Sequence, residues 1–346
     1  MYNWQAKMYE NYSLKELRAK KNRARKFNVG TRKSALAMIQ AEMVHTDLKK
    51  SYPDTYFEIH PMNTMGDKDQ TTALSQFGTK ALWTSELEAQ LLEGNLDMIV
   101  HCLKDLPTKL PEKCIIGCIL EREDPRDVLI MRKGLTQKSL AELPDGAVVG
   151  TSSLRRSSQI KRNYPNLNFK DVRGNVGSRL DKLDADDGGY SCLILAAAGI
   201  KRMGWDSRIT SYLDSKSDGH YYAVGQGALA IEIREGDDET LSLIKVLSNQ
   251  ASTLATLAER SLMRSLEGGC SVPIGVESTW VENDQLMIEA IVVSLDGSKC
   301  VQTERVGHIL NIDEAESFGQ RVAEDLVEKG ALTILDEIKN NHNVKV

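Results

Sequence analysis

Three stretches of this chain share one pattern: an apolar run stops at glycine, serine, threonine or arginine, and a helical sequence opens at once. They are Gly30-Thr31-Arg32-Lys33-Ser34, Val148-Val149-Gly150-Thr151-Ser152-Ser153-Leu154-Arg155-Arg156, and Val172-Arg173-Gly174-Asn175-Val176-Gly177-Ser178-Arg179. Strands that feed helices through turns this short form sheets with helices packed on their faces, so an α/β fold with doubly wound layers is expected. Ligands in open α/β sheets bind at the carboxyl ends of strands, where these turns sit. Each turn carries arginine, and each offers free N–H groups or hydroxyls at a positive helix end. Arg32, Ser34, Thr151, Ser152, Ser153, Arg155, Arg156, Arg173, Gly174 and Arg179 therefore form a candidate anion-binding set. Arginine holds a carboxylate bidentately and keeps its charge, which suits a polyanionic organic acid. Arg155 and Arg156 are expected to serve ligand binding rather than folding. The plainer alternative is a serine helix cap beside solvated arginines.

With 346 residues, two or three domains are expected. Hydrophobic residues at 41% and charged residues at 27% mark a globular chain. Strand and helix patterns alternate from Lys26 to Leu106, cross the charged segment Glu121-Arg122-Glu123-Asp124-Pro125-Arg126-Asp127, and start again. From Gln250 a long helix is followed by strand-like segments and a helix over 314–338, a third and α+β unit. No apolar run reaches the length of a membrane span, so no membrane is expected as partner. A net charge of -5 argues against nucleic acid as well. Residues 1–28 hold eight Lys or Arg against two Glu. Both a solvated basic tail and a mitochondrial presequence fit that composition. The six cysteines include no C-x-x-C pair and the six histidines are scattered, so no metal is expected; reduced thiols point to the cytoplasm.

Lys104-Asp105-Leu106-Pro107 ends another apolar strand and places an acid among the cations, a candidate for proton handling or for stabilising a cation, or else a turn cap. Cys270 follows Gly268-Gly269, so its thiol sits on a tight loop after a helix, where modified thiols are found more readily than in a core. Gly225-Gln226-Gly227-Ala228-Leu229-Ala230 matches a dinucleotide fingerprint, but a strand pattern follows it where that motif needs a helix.

The segments VHCLKDLP, VGTSSLRR, DVRGN, AVGQGALAIE and LEGGCSVPIG, in this order and spacing, resemble the porphobilinogen deaminases, also called hydroxymethylbilane synthases. The resemblance runs from about Phe27 to near the C-terminus. It implies a transferase of haem biosynthesis that joins four porphobilinogen molecules head to tail, with loss of ammonia, onto a covalent dipyrromethane cofactor, and releases hydroxymethylbilane. It implies a thioether from that cofactor to Cys270, catalytic roles for Asp105 and Lys104, and contacts to substrate or cofactor from Arg32, Ser34, Arg155, Arg156, Arg173, Arg179, Arg202 and Gln226. Asp105 would hold pyrrole N–H groups and stabilise the cation left when ammonia departs.

The implied architecture is a tail over 1–26, a first lobe from 27–120 and 225–245, a second from 126–220, and a cofactor-bearing domain over 250–346. The two lobes would resemble those of periplasmic binding proteins around a cleft, and the protein would be a monomer. A non-catalytic carboxylate binder of that type would share the lobes but not need the third domain, GGC or KDLP. Cys102 and Thr79 depart from the family's common Ser and Gly. Asp67 is the alternative acid should Asp105 prove to be a turn cap.

Overall fold

The computed structural model describes residues 26–68, 83–266 and 272–343. The chain opens with β1 (Lys26–Arg32), whose end is followed by Ser34; the Ser34 hydroxyl accepts from the Ala37 N–H and so starts α1 (Ala35–Ser51). There follow β2 (Tyr56–Met62), the single turn α2 (Met65–Lys68), α3 (Ser85–Leu92), β3 (Met98–Cys102) and β4 (Cys114–Ile119).

The chain then crosses to a second sheet. It is built from β5 (Asp127–Met131), β6 (Val148–Gly150), α4 (Leu154–Asn163), β7 (Asn168–Lys170), α5 (Val176–Asp184), β8 (Cys192–Ala196), α6 (Ala197–Arg202) and β9 (Ser211–Leu213). A return crossing leads to β10 (Leu229–Arg234), which enters the first sheet between β3 and β4 and runs antiparallel to both. The first sheet is ordered β2-β1-β3-β10-β4 and the second β7-β6-β8-β5-β9. In each, three strands pair in parallel and one reversed strand, β10 in the first sheet and β5 in the second, pairs antiparallel on both sides, so the sheets are mixed where purely parallel layers would follow from simple strand-helix alternation.

After α7 (Asp238–Ile244), the long helix α8 (Gln250–Ser265) begins the third unit. Its partners are the antiparallel strands β11 (Ile274–Glu282), β12 (Gln285–Val293) and β13 (Cys300–His308), then α9 (Ile312–Glu328) and α10 (Ala331–Asn343). The sequence pattern reads 314–338 as one helix. The structure divides it at Gly330, whose φ of 97° lies in the left-handed region that ends helices. Helix α8 is buried along almost its whole length because it lies between the third sheet and the first lobe. Leu254, Leu257 and Leu262 meet Leu103, Leu106 and Tyr222 there; each fully buried Leu contributes about 1.5–3 kcal/mol. That packing fixes the end of β3. Among the described residues, no helix is long and apolar enough to cross a membrane.

Candidate active site

The first lobe contributes Arg32, at the end of β1, and the turn after β3. Fully buried Leu103 anchors a 3-10 turn over Leu103–Asp105, leaving Lys104 and Asp105 half-buried at the strand's carboxyl end. Lys104 Nζ donates to Gln226 Oε1 at 3.2 Å; burial, and then the nearby Arg156 charge, hold its pKa below that of an ordinary lysine. No described residue donates a hydrogen bond to the Asp105 carboxylate. Helix α8 braces this turn, for buried Arg260 donates to the carbonyls of Leu106 (3.1 Å) and Pro107 (2.6 Å).

The second lobe contributes two helix starts. The Ser153 hydroxyl caps α4 by accepting from the Arg156 N–H, and Thr151 Oγ1 accepts from the Ser153 N–H at 3.2 Å. Ser152 Oγ bonds both backbone groups of Val172, tying this turn to the next. In that next turn Gly174 has a φ of 113°, open to glycine and strained for other residues, and Asn175 caps α5. Arg179 Nε donates to the Gly174 carbonyl at 2.8 Å. Burial first, then the charges of Arg156 and Arg173, push Arg179 down to about 10; Arg32 of the other lobe adds to this and Asp105 opposes it. Arg32, Lys104, Asp105, Arg156, Arg173 and Arg179 thus share one electrostatic neighbourhood. It holds more cation than anion.

Arg155 and Arg156 lie deeper than a solvated helix start. Both are buried on Asp127, the fully buried first residue of β5. Arg155 Nη1 donates to Oδ2 at 2.8 Å, and Arg156 donates to Oδ1 through Nη2 (2.7 Å) and Nε (3.1 Å). His220 Nε2 lies 2.9 Å from Oδ2, and Gln226 Nε2 donates to Oδ1 at 2.9 Å. Burial raises the Asp127 pKa, but the two arginines and His220 outweigh it and hold the carboxyl well below the ordinary range. Sequence reasoning missed this acid. The one available signal was an Asp at the junction of the charged crossing and an apolar strand.

Gln226 links the two lobes: its oxygen accepts from Lys104, and its amide donates to Asp127 and to the Pro125 carbonyl at 2.7 Å. The flanking glycines, at φ of 70° and 90°, do not introduce a helix; β10 follows. A Cβ on Gly227 would come within 2.2 Å of the Glu123 carbonyl, so this turn serves the close passage of the two crossings. A second buried acid pins the same place, where Glu259 of α8 accepts from Arg122 at 2.6 and 3.1 Å, from Ser278 and from the Gly225 N–H. Arg202, half-buried, donates to the Gly227 carbonyl at 2.7 Å, while its Nε is buried without a partner among the described residues.

Cys270, Thr79 and residues 1–25 of the tail lie outside the described residues, while Lys26, the last residue assigned to the tail, opens β1. Cys114, Cys118 and Cys192 are pushed up to about 12 by burial, which makes them packing groups rather than nucleophiles. Cys102 faces Gln40, and burial raises its pKa as well.

Two family profiles match the chain: "Porphobilinogen deaminase, dipyromethane cofactor binding domain" over residues 27–242 and "Porphobilinogen deaminase, C-terminal domain" over 253–328. Among curated relatives, the porphobilinogen deaminase of Neurospora crassa is 54% identical over 315 residues, covering 89% of this chain and 93% of the relative. That of Candida albicans is 50% identical over 322 residues, covering 91% and 94%. That of Yarrowia lipolytica is 52% identical over 315 residues, covering 90% and 92%.

Proposed function

The chain belongs to the porphobilinogen deaminase family, and from that premise we propose that it is a transferase whose reaction is carried by Asp105 at the centre of an arginine-lined cleft. The activity is the stepwise head-to-tail condensation of four porphobilinogen molecules, with loss of ammonia, onto a dipyrromethane primer, giving hydroxymethylbilane for haem synthesis. When bound, the primer supplies the pyrrole carbon to which the first new unit is joined.

The residues fit such a group. A chain of pyrroles bearing acetate and propionate arms carries many carboxylates, and the cluster of Arg32, Lys104, Arg173 and Arg179 about Asp105 carries more positive than negative charge. The match of both porphobilinogen deaminase profiles along the chain is the observation that carries the reading, and the gathering of Arg156, Arg173 and Arg179 about Asp105 supports it. Arg173 and Arg179 would hold carboxylates from the second lobe and Arg32 from the first. Arg202, with a buried donor to satisfy, would take another. Ser34, Thr151, Ser152, Ser153 and Gly174 shape the helix starts that face the cleft. Arg155 and Arg156 contribute charge from beneath, Arg156 reaching Lys104 and Arg179 through its field.

Asp105 accepts pyrrole N–H bonds and stabilises the positive charge that grows as ammonia leaves. Its negative charge is fixed in place before that charge develops, so no reorganisation is needed at the moment of reaction. Lys104, with a lowered pKa at Nζ, is set to pass a proton to the departing amine. Gln226 holds that Nζ. Cys270 is the attachment point by its match to the family's GGC loop. The domain limits are those given by the resemblance. A cleft formed from one chain's residues suits a monomer, and the five described cysteines, all free thiols, suit the reducing cytoplasm.

The test is peptide mapping of the purified protein with a Cys270→Ser variant alongside. The adduct should lie on the Cys270 peptide, and the serine variant should fold without adduct or turnover. An adduct on Cys102 or Cys300 contradicts the assignment.

A further inference from the structure

Arg32 is restrained on two sides by the folded chain. Asp67, on α2, takes the guanidinium side-on: Nε donates to Oδ2 at 3.2 Å and Nη2 to Oδ1 at 2.5 Å. Asp67 is fixed in turn, because the Thr64 N–H (3.2 Å) and hydroxyl (2.8 Å) both donate to Oδ2. Burial raises the Asp67 pKa, but Arg32 and Thr64 outweigh it, so the carboxyl is ionised well below neutral pH. The flat of the guanidinium lies over Trp83, 4.0 Å from the ring centroid. The Gly66 backbone is pressed against the same ring, where a Cβ would come within 2.3 Å. Asp67, Gly66 and Trp83 together make a seat for one side chain.

A guanidinium presents two edges to carboxylates, the Nε/Nη2 side and the Nη1/Nη2 end. Asp67 occupies the side, and no described residue accepts from Nη1. The Arg32 charge is nonetheless felt at Arg179 in the other lobe, so the side chain belongs to the cationic cluster. Resting on the function proposed above, we infer that Asp67 and Trp83 are positioning residues that preset Arg32 to take one carboxylate of the pyrrole substrate end-on. Arginine ordinarily loses rotamer freedom when it binds, and here that loss has occurred during folding. The pairing also means that Asp67 is not a spare acid for the chemistry; it acts through Arg32.

Steady-state kinetics on holoenzyme variants, with cofactor content checked by intact mass, test this. Asp67→Asn should raise KM for porphobilinogen about tenfold and leave kcat within about twofold, while Asp67→Glu recovers most of the loss. Trp83→Leu should raise KM about fivefold and Trp83→Phe less than about twofold. In an Arg32→Lys background, which lacks the side-on fork, Asp67→Asn should add less than about twofold. A lower KM in Asp67→Asn would mean that Asp67 competes with substrate for Arg32. A full tenfold loss added to that of Arg32→Lys would mean that it acts elsewhere. Either overturns the inference, as does an unchanged KM in both Asp67→Asn and Trp83→Leu. Wild-type protein without a two-pyrrole adduct would instead overturn the family reaction, so the two failures are distinct.

Discussion

The two lobes treat their arginines differently. In the second lobe Arg155 and Arg156 are buried against Asp127, an acid fully inside the protein, and that carboxylate is shared with His220 and Gln226. In the first lobe Arg32 meets Asp67 nearer the surface and keeps one edge clear of described partners. Arg173 and Arg179 stand between these cases, close to other cations and to Asp105. An arginine's role here follows from whether its acid comes with the fold or with the ligand. Where the acid is built in and buried, substitution should cost stability; where it arrives on substrate, substitution should cost KM or turnover.

The largest effect should come from Asp127→Ala, which strands two buried guanidinium groups. A loss of about 3–5 kcal/mol is expected, measured as a falling thermal midpoint in calorimetry. An unchanged midpoint would mean that the buried arginines do not depend on Asp127. Asp105→Asn should leave the midpoint nearly unchanged and lower turnover about 10² to 10³-fold, the scale of losing one preorganised partner of a transition state. Asp105→Glu keeps the charge but shifts it, and should retain more activity than Asn. Single-turnover ammonia release would show whether the loss lies in the chemical step.

Smaller effects sharpen the contrast. Arg179→Lys keeps the charge and loses the bidentate fork, so KM should rise about tenfold with stability held. Lysine at Arg155 or Arg156 should instead lower the midpoint. The sequence alone leads to the opposite expectation for that pair, since it shows the helix start but not the acid beneath. The mildest effect concerns pH. Burial keeps the His220 pKa below its ordinary value despite Asp127, so the unfolded chain takes up that proton first as pH falls. Its contribution to stability is therefore full above about pH 6.5 and declines as pH drops toward the folded value, by up to about 1.4 kcal/mol per unit. His220→Gln should flatten that slope in thermal melts between about pH 6.5 and 5.

What could be read from the sequence was local. The turns after β1 and β6 and the turn before α5 are each complete within about ten residues, and their Ser and Asn caps, arginines and glycine lie where the pattern puts them. The turn Lys104-Asp105 follows a strand whose apolar run is unbroken enough to locate its end. Hidden features were the ones made by distant residues. Asp127 collects partners 28 to 99 positions away, and Arg260 reaches the turn after β3 across 154. No periodicity encodes such pairings. The break between α9 and α10 was visible in principle at Gly330, but helical spacing on both sides masked it.

If the cationic cleft serves a covalently held, growing chain of carboxylated pyrroles and Asp105 drives each addition, the protein's own mass must record the growth. Denaturing intact-mass measurement of the protein, before and after limiting porphobilinogen, tests it most directly. The starting mass should exceed that of the polypeptide by two pyrrole units and then rise one unit at a time, with Asp105→Asn loaded with primer but slow to climb. A bare polypeptide mass, or an Asn variant that climbs as fast as wild type, would contradict it.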